Sequence, residues 1–152
     1  PEPQKAMGST LTAALVLGSR LFLAHVGDSR AYLLQDDALM AITTDHSVVR
    51  ALQDSGQLTD EEVAHYSNRS LLYRALVGDE LEGVDTYTRT LPARGLLMLC
   101  SDGLWDLLAD GEMKDILRQE RSLQQRADEL VVRALAAGGH DNITVVLVEF
   151  RL

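Results

Sequence analysis

The chain has 152 residues, 46% of them hydrophobic, and carries 23 Asp and Glu against 14 Lys and Arg, a formal net charge of -9. This acidity argues against a nucleic-acid partner, because no basic stripe is present to neutralise backbone phosphates. A single cysteine cannot form an internal disulfide and no apolar run approaches the roughly 18 residues that span a bilayer, so we expect a cytoplasmic protein without a membrane partner.

The first third of the chain predicts two β-hairpins. Residues 10–17 and 20–26 are strand-like runs, and Gly18 in their short connection can adopt the positive φ of a tight turn. The runs "AYLL" and "LMAIT" flank Asp36 and Asp37 as a second hairpin. We expect these four strands to form one antiparallel meander.

Residues 46–83 predict an excursion from the strands, with one or two helices and a loop. Apolar residues in "DHSVVRALQDSG" share one helical face, and Gly56 ends the pattern. Thr59 and Glu62 in "TDEE" have the spacing of a capping box at the start of a short helix.

The last part of the chain predicts strands on either side of a helical region. "VDTYTRTL" and "GLLMLC" are strand-like, and "NITVVLVEF" predicts a buried final strand. Residues 110–137 are helical in pattern, with a second capping box at Ser122 and Gln125. Without repeats or linkers, the chain predicts one α+β domain.

Three aspartates occupy similar positions at predicted strand ends. Asp28 and Asp102 each follow an apolar strand, Asp141 precedes the last one, and Asp106 lies four residues beyond Asp102 in "CSDGLWD". Carboxylates on rigid strand ends suit a hard cation such as Mg²⁺ or Mn²⁺. Each aspartate, taken singly, could instead be a turn residue whose side chain hydrogen-bonds its own backbone. Asn142 could likewise only cap backbone groups where the last strand begins.

Other reactive side chains predict structural roles. Cys100 has an apolar flank and no neighbouring cation in sequence, so we expect a core thiol rather than a nucleophile. His25 predicts a packed core residue and His46 a turn residue, whereas His140, next to Asp141, is a candidate for orienting a metal ligand.

Six motifs, in order, resemble the metal-dependent protein serine/threonine phosphatases, the type 2C or PPM family, and its bacterial branch most. They are "GSTLTAAL" (8–15), "VGDSRAYL" (26–33), "TDHS" (44–47), "NRSLLYRALVG" (68–78), "SDGLWD" (101–106) and "DNITVVLV" (141–148). The resemblance implies a four-layer sandwich of two antiparallel sheets flanked by helices, of which the chain holds the C-terminal two thirds, as a single partial domain over residues 1–152. It further implies hydrolysis of phosphoserine and phosphothreonine in proteins by water activated on two core Mn²⁺ or Mg²⁺ ions, in a protein that is monomeric when complete.

The resemblance also assigns roles to individual residues. Asp102 and Asp141 match ligands of one core metal, and Asp28, Asp102 and Asp106 match the acidic group around a third, weaker ion. Asn142, Gly103 and His140 would support these ligands. Residues 46–83 match the flap beside the active site, whose candidate substrate contacts are His65, Tyr66, Ser67, Asn68 and Arg69.

The sequence departs from the family in the upstream third of the catalytic domain, which is missing together with an acidic ligand and the arginine and histidine associated with phosphate binding and leaving-group protonation. No Asp-Gly-x-Gly-Gly segment is present to supply the metal-bridging carboxylate, and "AAGGHDN" belongs instead to the C-terminal motif. Two hypotheses follow: a fragment of a phosphatase catalytic domain, or a pseudo-phosphatase that binds cations or partners without hydrolysis.

Overall fold

The computed structural model of the chain describes residues 8–63, 66, 71–77 and 83–152. Strands and helices alternate irregularly along these residues. The strands are β1 (Gly8–Ser9), β2 (Leu11–Leu17), β3 (Arg20–Val26), β4 (Arg30–Gln35), β5 (Ala38–Ala41), β6 (Leu76–Val77), β7 (Asp85–Thr90), β8 (Arg94–Cys100) and β9 (Val145–Arg151). The helices are α1 (Val48–Asp54), α2 (Asp60–Val63), α3 (Asp102–Trp105), α4 (Asp110–Leu117) and α5 (Leu123–Ala136).

Two antiparallel sheets form the body of the molecule. One has the strand order β2-β3-β7 and the other β5-β4-β8-β9, while β1 and β6 form a separate two-stranded pair. The predicted meander of four strands is therefore wrong, because β3 and β4 lie in different sheets. Gly27 sits at the crossing with φ 105°, a conformation that side-chain-bearing residues rarely adopt.

Both predicted hairpins are confirmed. Gly18 has φ 55° in the turn between β2 and β3. Asp36 and Asp37 have φ values of 46° and 70° between β4 and β5, the two positive angles of a type I′ turn, which aspartate tolerates better than most residues.

The core has two layers of apolar side chains. Leu21 and Leu23 of β3 pack against Leu33, Leu97 and Phe150 between the two sheets. The other face of the four-stranded sheet packs against the helices, with a cluster that includes Met98, Leu104, Leu117 and Leu130. The predicted α+β class, antiparallel sheets flanked by helices, is confirmed.

The predicted helix signals are also confirmed. In α1 the Ser47 hydroxyl accepts a hydrogen bond from the Arg50 amide. Thr59 and Glu62 form the capping box of α2, with the Thr59 amide 2.8 Å from Glu62 Oε2. The helical region 110–137 is divided into α4 and α5, and Ser122 with Gln125 caps the second of them.

Strand β9 differs from its prediction as a buried strand. Among the described residues it pairs only with β8, and from Val145 to Val148 its residues alternate between partly buried and exposed positions, while Phe150 is buried. Val146 and Val148 are 48% and 39% exposed. The apolar run predicted burial on both faces, but only the face with Val145 and Leu147 packs on the helices, and the face with Val146 and Val148 stays partly open.

None of the described helices is long and apolar enough to cross a membrane.

Candidate metal centre

One end of the four-stranded sheet carries three of the predicted aspartates. In the register of this sheet Arg30 of β4 lies opposite Cys100 of β8, which lies opposite Val145 of β9. Asp28 precedes this row by two residues, Asp102 follows it by two, and Asp141 precedes it by four. All three therefore lie at the same sheet edge, as the strand-end pattern predicted.

Hydrogen bonds join the segments that carry Asp102 and Asp141. The Ser101 hydroxyl donates to the Asn142 carbonyl oxygen at 2.9 Å and accepts from the Thr144 amide at 3.0 Å. The Ser101 amide donates to the Thr144 carbonyl oxygen at 3.1 Å. These bonds fix the backbone next to both aspartates.

Gly103 permits the close approach of the same two segments. A Cβ atom at this position would lie 2.6 Å from the Asn142 carbonyl oxygen, so any larger residue would push them apart. The Gly103 amide also donates to Asp102 Oδ1 at 3.0 Å. These two contacts give a physical reason for a supporting role of Gly103, and that role beside a metal stays a prediction.

Trp105 links the loop of Asp28 to helix α3. Its indole Nε1 donates to the Asp28 carbonyl oxygen at 2.9 Å, across 77 positions of sequence. The guanidinium carbon of Arg30 lies 3.5 Å from the centroid of the indole ring. Trp105 thus positions the backbone of Asp28 beside Asp102.

Asp28, Asp102 and Asp106 line one cavity of about 150 Å³. Asp141 lies outside the lining of this cavity. The remaining wall residues are both polar and apolar: Arg30, Asp45, Ser47, Val49, Arg50, Gln53, Val63 and Trp105.

The carboxylates in and beside this cavity repel each other. Burial, with the charges of Asp102 and Asp45, raises the pKa of Asp28 from 3.8 to about 6. Burial also raises the pKa of Asp102, and the charges of Asp141 and Asp106 add to the effect. A bound cation would relieve this repulsion, since it stabilises the ionised form of each carboxylate.

The donor chemistry at this edge fits a hard cation, but the described ligands are few. Carboxylate oxygens are the donors that Mg²⁺ and Mn²⁺ prefer. Within the part of the chain that the structure describes, no three Asp, Glu, His or Cys side chains are grouped closely enough to hold a metal ion by themselves. The described carboxylates would therefore supply only part of the coordination shell of a metal ion.

Sequence reasoning missed the ion pair that supports the site. Arg30 and Asp45 form a two-point contact, with Nη2 2.7 Å from Oδ2 and Nε 2.9 Å from Oδ1. Asp45 is 6% exposed. Both residues lie within motifs of the family resemblance, and the β4-β5 hairpin brings their segments together, but the sequence does not show that these two side chains meet.

Of the other predicted supporting residues, Asn142 contacts Asp141 through its backbone, whereas His140 is exposed. The Asn142 amide donates to Asp141 Oδ1 at 2.6 Å, while its carbonyl oxygen accepts from Ser101. His140 is exposed and its ring lies against Gly138, where an added Cβ would be 2.6 Å from Nε2. Roles for the Asn142 and His140 side chains beside a metal stay predictions.

Most of the predicted substrate contacts lie outside the described residues: His65, Ser67, Asn68 and Arg69. Tyr66 is described, and its amide donates to the Val63 carbonyl oxygen at 3.2 Å. Its contact with a substrate stays a prediction.

The core roles predicted for Cys100 and His25 agree with the structure, whereas the turn role predicted for His46 is wrong, because His46 is buried and hydrogen-bonds to distant segments. Cys100 is buried, and burial raises the pKa of its thiol to about 12, so the thiol is neutral and a poor nucleophile. His25 is fully buried. His46 accepts from the Gly27 amide at 3.2 Å, and its Nε2 lies 3.0 Å from Asp85, so it connects the loop before Asp28 to β7.

Comparisons with known proteins agree on one family. The family profile described as protein phosphatase 2C matches residues 2–52 and 86–143. The serine/threonine phosphatase stp of Listeria welshimeri is 42% identical over 146 residues, which are 96% of this chain and 58% of the relative. The chain thus spans less than two thirds of the length of this relative.

Two solved structures are also similar. The serine/threonine phosphatase PstP/Ppp of Mycobacterium tuberculosis superposes with a TM-score of 0.86 at 44% identity, over 93% of this chain and 59% of the other. The catalytic domain of PstP in complex with two manganese ions gives a TM-score of 0.82 at 42% identity, over 93% of this chain and 58% of the other.

Proposed function

Because this chain belongs to the protein phosphatase 2C family, we propose that it forms part of a metal-dependent active site that hydrolyses phosphoserine and phosphothreonine in proteins. The observation that carries the proposal is the cavity lined by Asp28, Asp102 and Asp106, in which burial and neighbouring charge raise the pKa of the first two. The manganese ions of the similar PstP catalytic domain support a divalent cation here.

We assign the carboxylates to two positions. Asp102 and Asp141 would hold one of two core Mn²⁺ or Mg²⁺ ions, and Asp28, Asp102 and Asp106 would surround a third, weaker one. When bound, such ions lower the pKa of a coordinated water and neutralise the oxygens of a phosphoryl group. The raised pKa of Asp28 and Asp102 is consistent with this role, because a nearby cation stabilises the ionised form of a buried, repelled carboxylate more than that of an exposed one.

The rest of the described site orients these carboxylates. Ser101 joins the backbone segments of Asp102 and Asp141, and Trp105 holds the Asp28 carbonyl oxygen. The buried, neutral thiol of Cys100 is unsuited to a covalent phospho-cysteine route. Residues 46–83 would act as a flap that contacts the phosphoprotein, since Val49, Arg50 and Val63 of this segment line the cavity.

One observation favours a second candidate, a pseudo-phosphatase that binds cations or partners. Among the residues that the structure describes, no group of three metal-binding side chains is in place. A scaffold with an incomplete ligand set would retain weak cation binding and lose hydrolysis. Activity of the full-length protein distinguishes the two candidates.

The test is hydrolysis of a phosphothreonine peptide by the full-length protein that carries this chain, with Mn²⁺ in the buffer. We expect activity that Asp102→Ala and Asp141→Ala each abolish. The control is Asp128→Ala, which removes an exposed carboxylate of α5 that accepts from Gln124. Undiminished turnover in both site variants contradicts the assigned roles, and an inactive wild-type protein that still binds Mn²⁺ favours the pseudo-phosphatase.

A further inference from the structure

A second polar cavity lies at the opposite end of the four-stranded sheet. It is found where β4 ends, β8 begins and β9 ends, whereas the metal centre lies at the other termini of the same three strands. Its volume is about 270 Å³. The lining residues that matter here are Arg94, Arg126 and Arg151, with Asp36, Asp37 and Glu149.

Two of these arginines are direct cross-strand partners. Arg94 of β8 lies opposite Arg151 of β9, so both side chains project from the same face of the sheet. Both are exposed, and neither forms an ion pair with any described residue. Like charges directly opposite each other destabilise a strand pair, and an anion between or beside the two arginines would relieve this repulsion.

The third arginine adds positive charge to the floor of the cavity. Arg126 of α5 is 8% exposed. Its Nη1 donates to the Leu117 carbonyl oxygen at 2.7 Å, and its Nη2 lies 3.6 Å from Glu149. Its buried Nε has no partner among the described residues. The guanidinium is thus fixed in place but not fully neutralised.

The acidic residues of the cavity have partners other than Arg94 and Arg151. Asp37 forms a 2.7 Å ion pair with Arg118, and Asp36 Oδ2 accepts from the side-chain Nε2 of Gln35 at 3.0 Å. Glu149 faces Arg126. Arg94 and Arg151 therefore present their guanidinium groups to solvent together.

We propose that this arginine cavity binds a phosphate-type oxyanion, either free phosphate or a phosphoryl group on a peptide. Planar guanidinium groups recognise phosphate through paired, charge-assisted hydrogen bonds, and two adjacent strands hold Arg94 and Arg151 at fixed spacing. The site is separate from the metal centre and needs no metal ion. It would let the protein respond to phosphate or anchor a phosphorylated segment far from the place of hydrolysis.

The experiment is a titration of the chain with inorganic phosphate at constant ionic strength, in buffer that contains EDTA. Backbone amide chemical shifts measured by NMR monitor the binding. We expect saturable shifts at Gly95 and Phe150, and unchanged resonances at Gly103 and Asn142. Because a hydrogen bond to a charged group contributes enough to change affinity by about tenfold, Arg94→Gln and Arg151→Gln should each weaken binding by about that factor. Both positions are exposed, so the variants should fold.

The matched control is Arg89→Gln, which removes an exposed strand arginine from the other sheet and should leave the affinity unchanged. A second titration uses a phosphoserine peptide. Tighter binding than inorganic phosphate identifies a phosphorylated segment as the source of the anion, and equal binding identifies the free ion. Absence of saturable shifts at Gly95, or equal affinity in wild type and both site variants, overturns the proposal.

Discussion

The guanidinium of Arg30 meets the carboxylate of Asp45 at two points, with Nε 2.9 Å from Oδ1 and Nη2 2.7 Å from Oδ2. The same guanidinium covers the ring of Trp105, whose indole holds the Asp28 carbonyl oxygen. One ion pair therefore supports both a wall of the cavity and the backbone of a candidate metal ligand.

Loss of this ion pair should destabilise the protein. In Asp45→Asn the half-buried Arg30 would keep its charge without a carboxylate, so we expect the free energy of unfolding to fall by about 2 kcal/mol. Urea denaturation measures the change. The control is Asp54→Asn. Asp54 pairs with Arg50 one helical turn away, and both side chains are exposed, so this substitution should change the free energy of unfolding by less than about 0.5 kcal/mol. Equal effects of the two substitutions would contradict this account.

Two glycine-to-alanine substitutions should change the free energy of unfolding in opposite directions. Gly103→Ala places a methyl group 2.6 Å from the Asn142 carbonyl oxygen and should lower the free energy of unfolding by about 1 to 3 kcal/mol. Gly111→Ala in α4 meets nothing within 4 Å and should raise it by up to about 1 kcal/mol, since alanine is the better helix former. Thermal unfolding of both variants checks the prediction. A neutral Gly103→Ala would show that the two segments can separate freely.

The buried carboxylate of Asp28 should make stability depend on pH in the absence of metal. Its pKa rises from 3.8 to about 6 on folding, so its contribution is fully present below pH 3.8 and is lost as the pH rises through about 6. At pH 7.5 in EDTA, Asp28→Asn should therefore be more stable than wild type by about 2 to 3 kcal/mol. The difference should shrink as the pH falls toward 4. A pH-independent difference between the two proteins would refute the assigned cause.

Divalent cations should bind the isolated chain weakly. Because the described carboxylates form only part of a coordination shell, we expect a millimolar dissociation constant for Mn²⁺ and little or no phosphopeptide hydrolysis by residues 1–152. Calorimetric titration should show further weakening in Asp102→Asn and none in Asp128→Asn. Tight binding with robust metal-dependent turnover would mean that the chain holds a complete site.

Features encoded by neighbouring residues were predictable from the sequence. The turns at Gly18 and at Asp36 and Asp37 follow from which residues accept positive φ, and the capping box at Ser122 follows from its own spacing. The end-of-strand positions of Asp28 and Asp102 also followed from local pattern, and they proved to share a cavity.

Features that depend on which strand pairs with which were not predictable. An alternating or apolar run identifies a strand but not its partner, so the change of sheet at Gly27 was missed and β9 was expected to be buried. The contact of Arg30 with Asp45 was missed for a different reason. The predicted hairpin already brings the start of β4 beside the segment that follows β5, but which side chain of that segment meets Arg30 depends on its path after Ala41.

Trp105 is the only tryptophan in the sequence. Since its indole lies between the Arg30 guanidinium and the Asp28 loop, all tryptophan fluorescence of the chain originates at the wall of the cavity lined by Asp28, Asp102 and Asp106. Paramagnetic Mn²⁺ at that position would quench the emission, whereas diamagnetic Mg²⁺ would alter it only through local rearrangement. The molecule therefore carries its own optical reporter of cation occupancy, and no dye or label has to be attached.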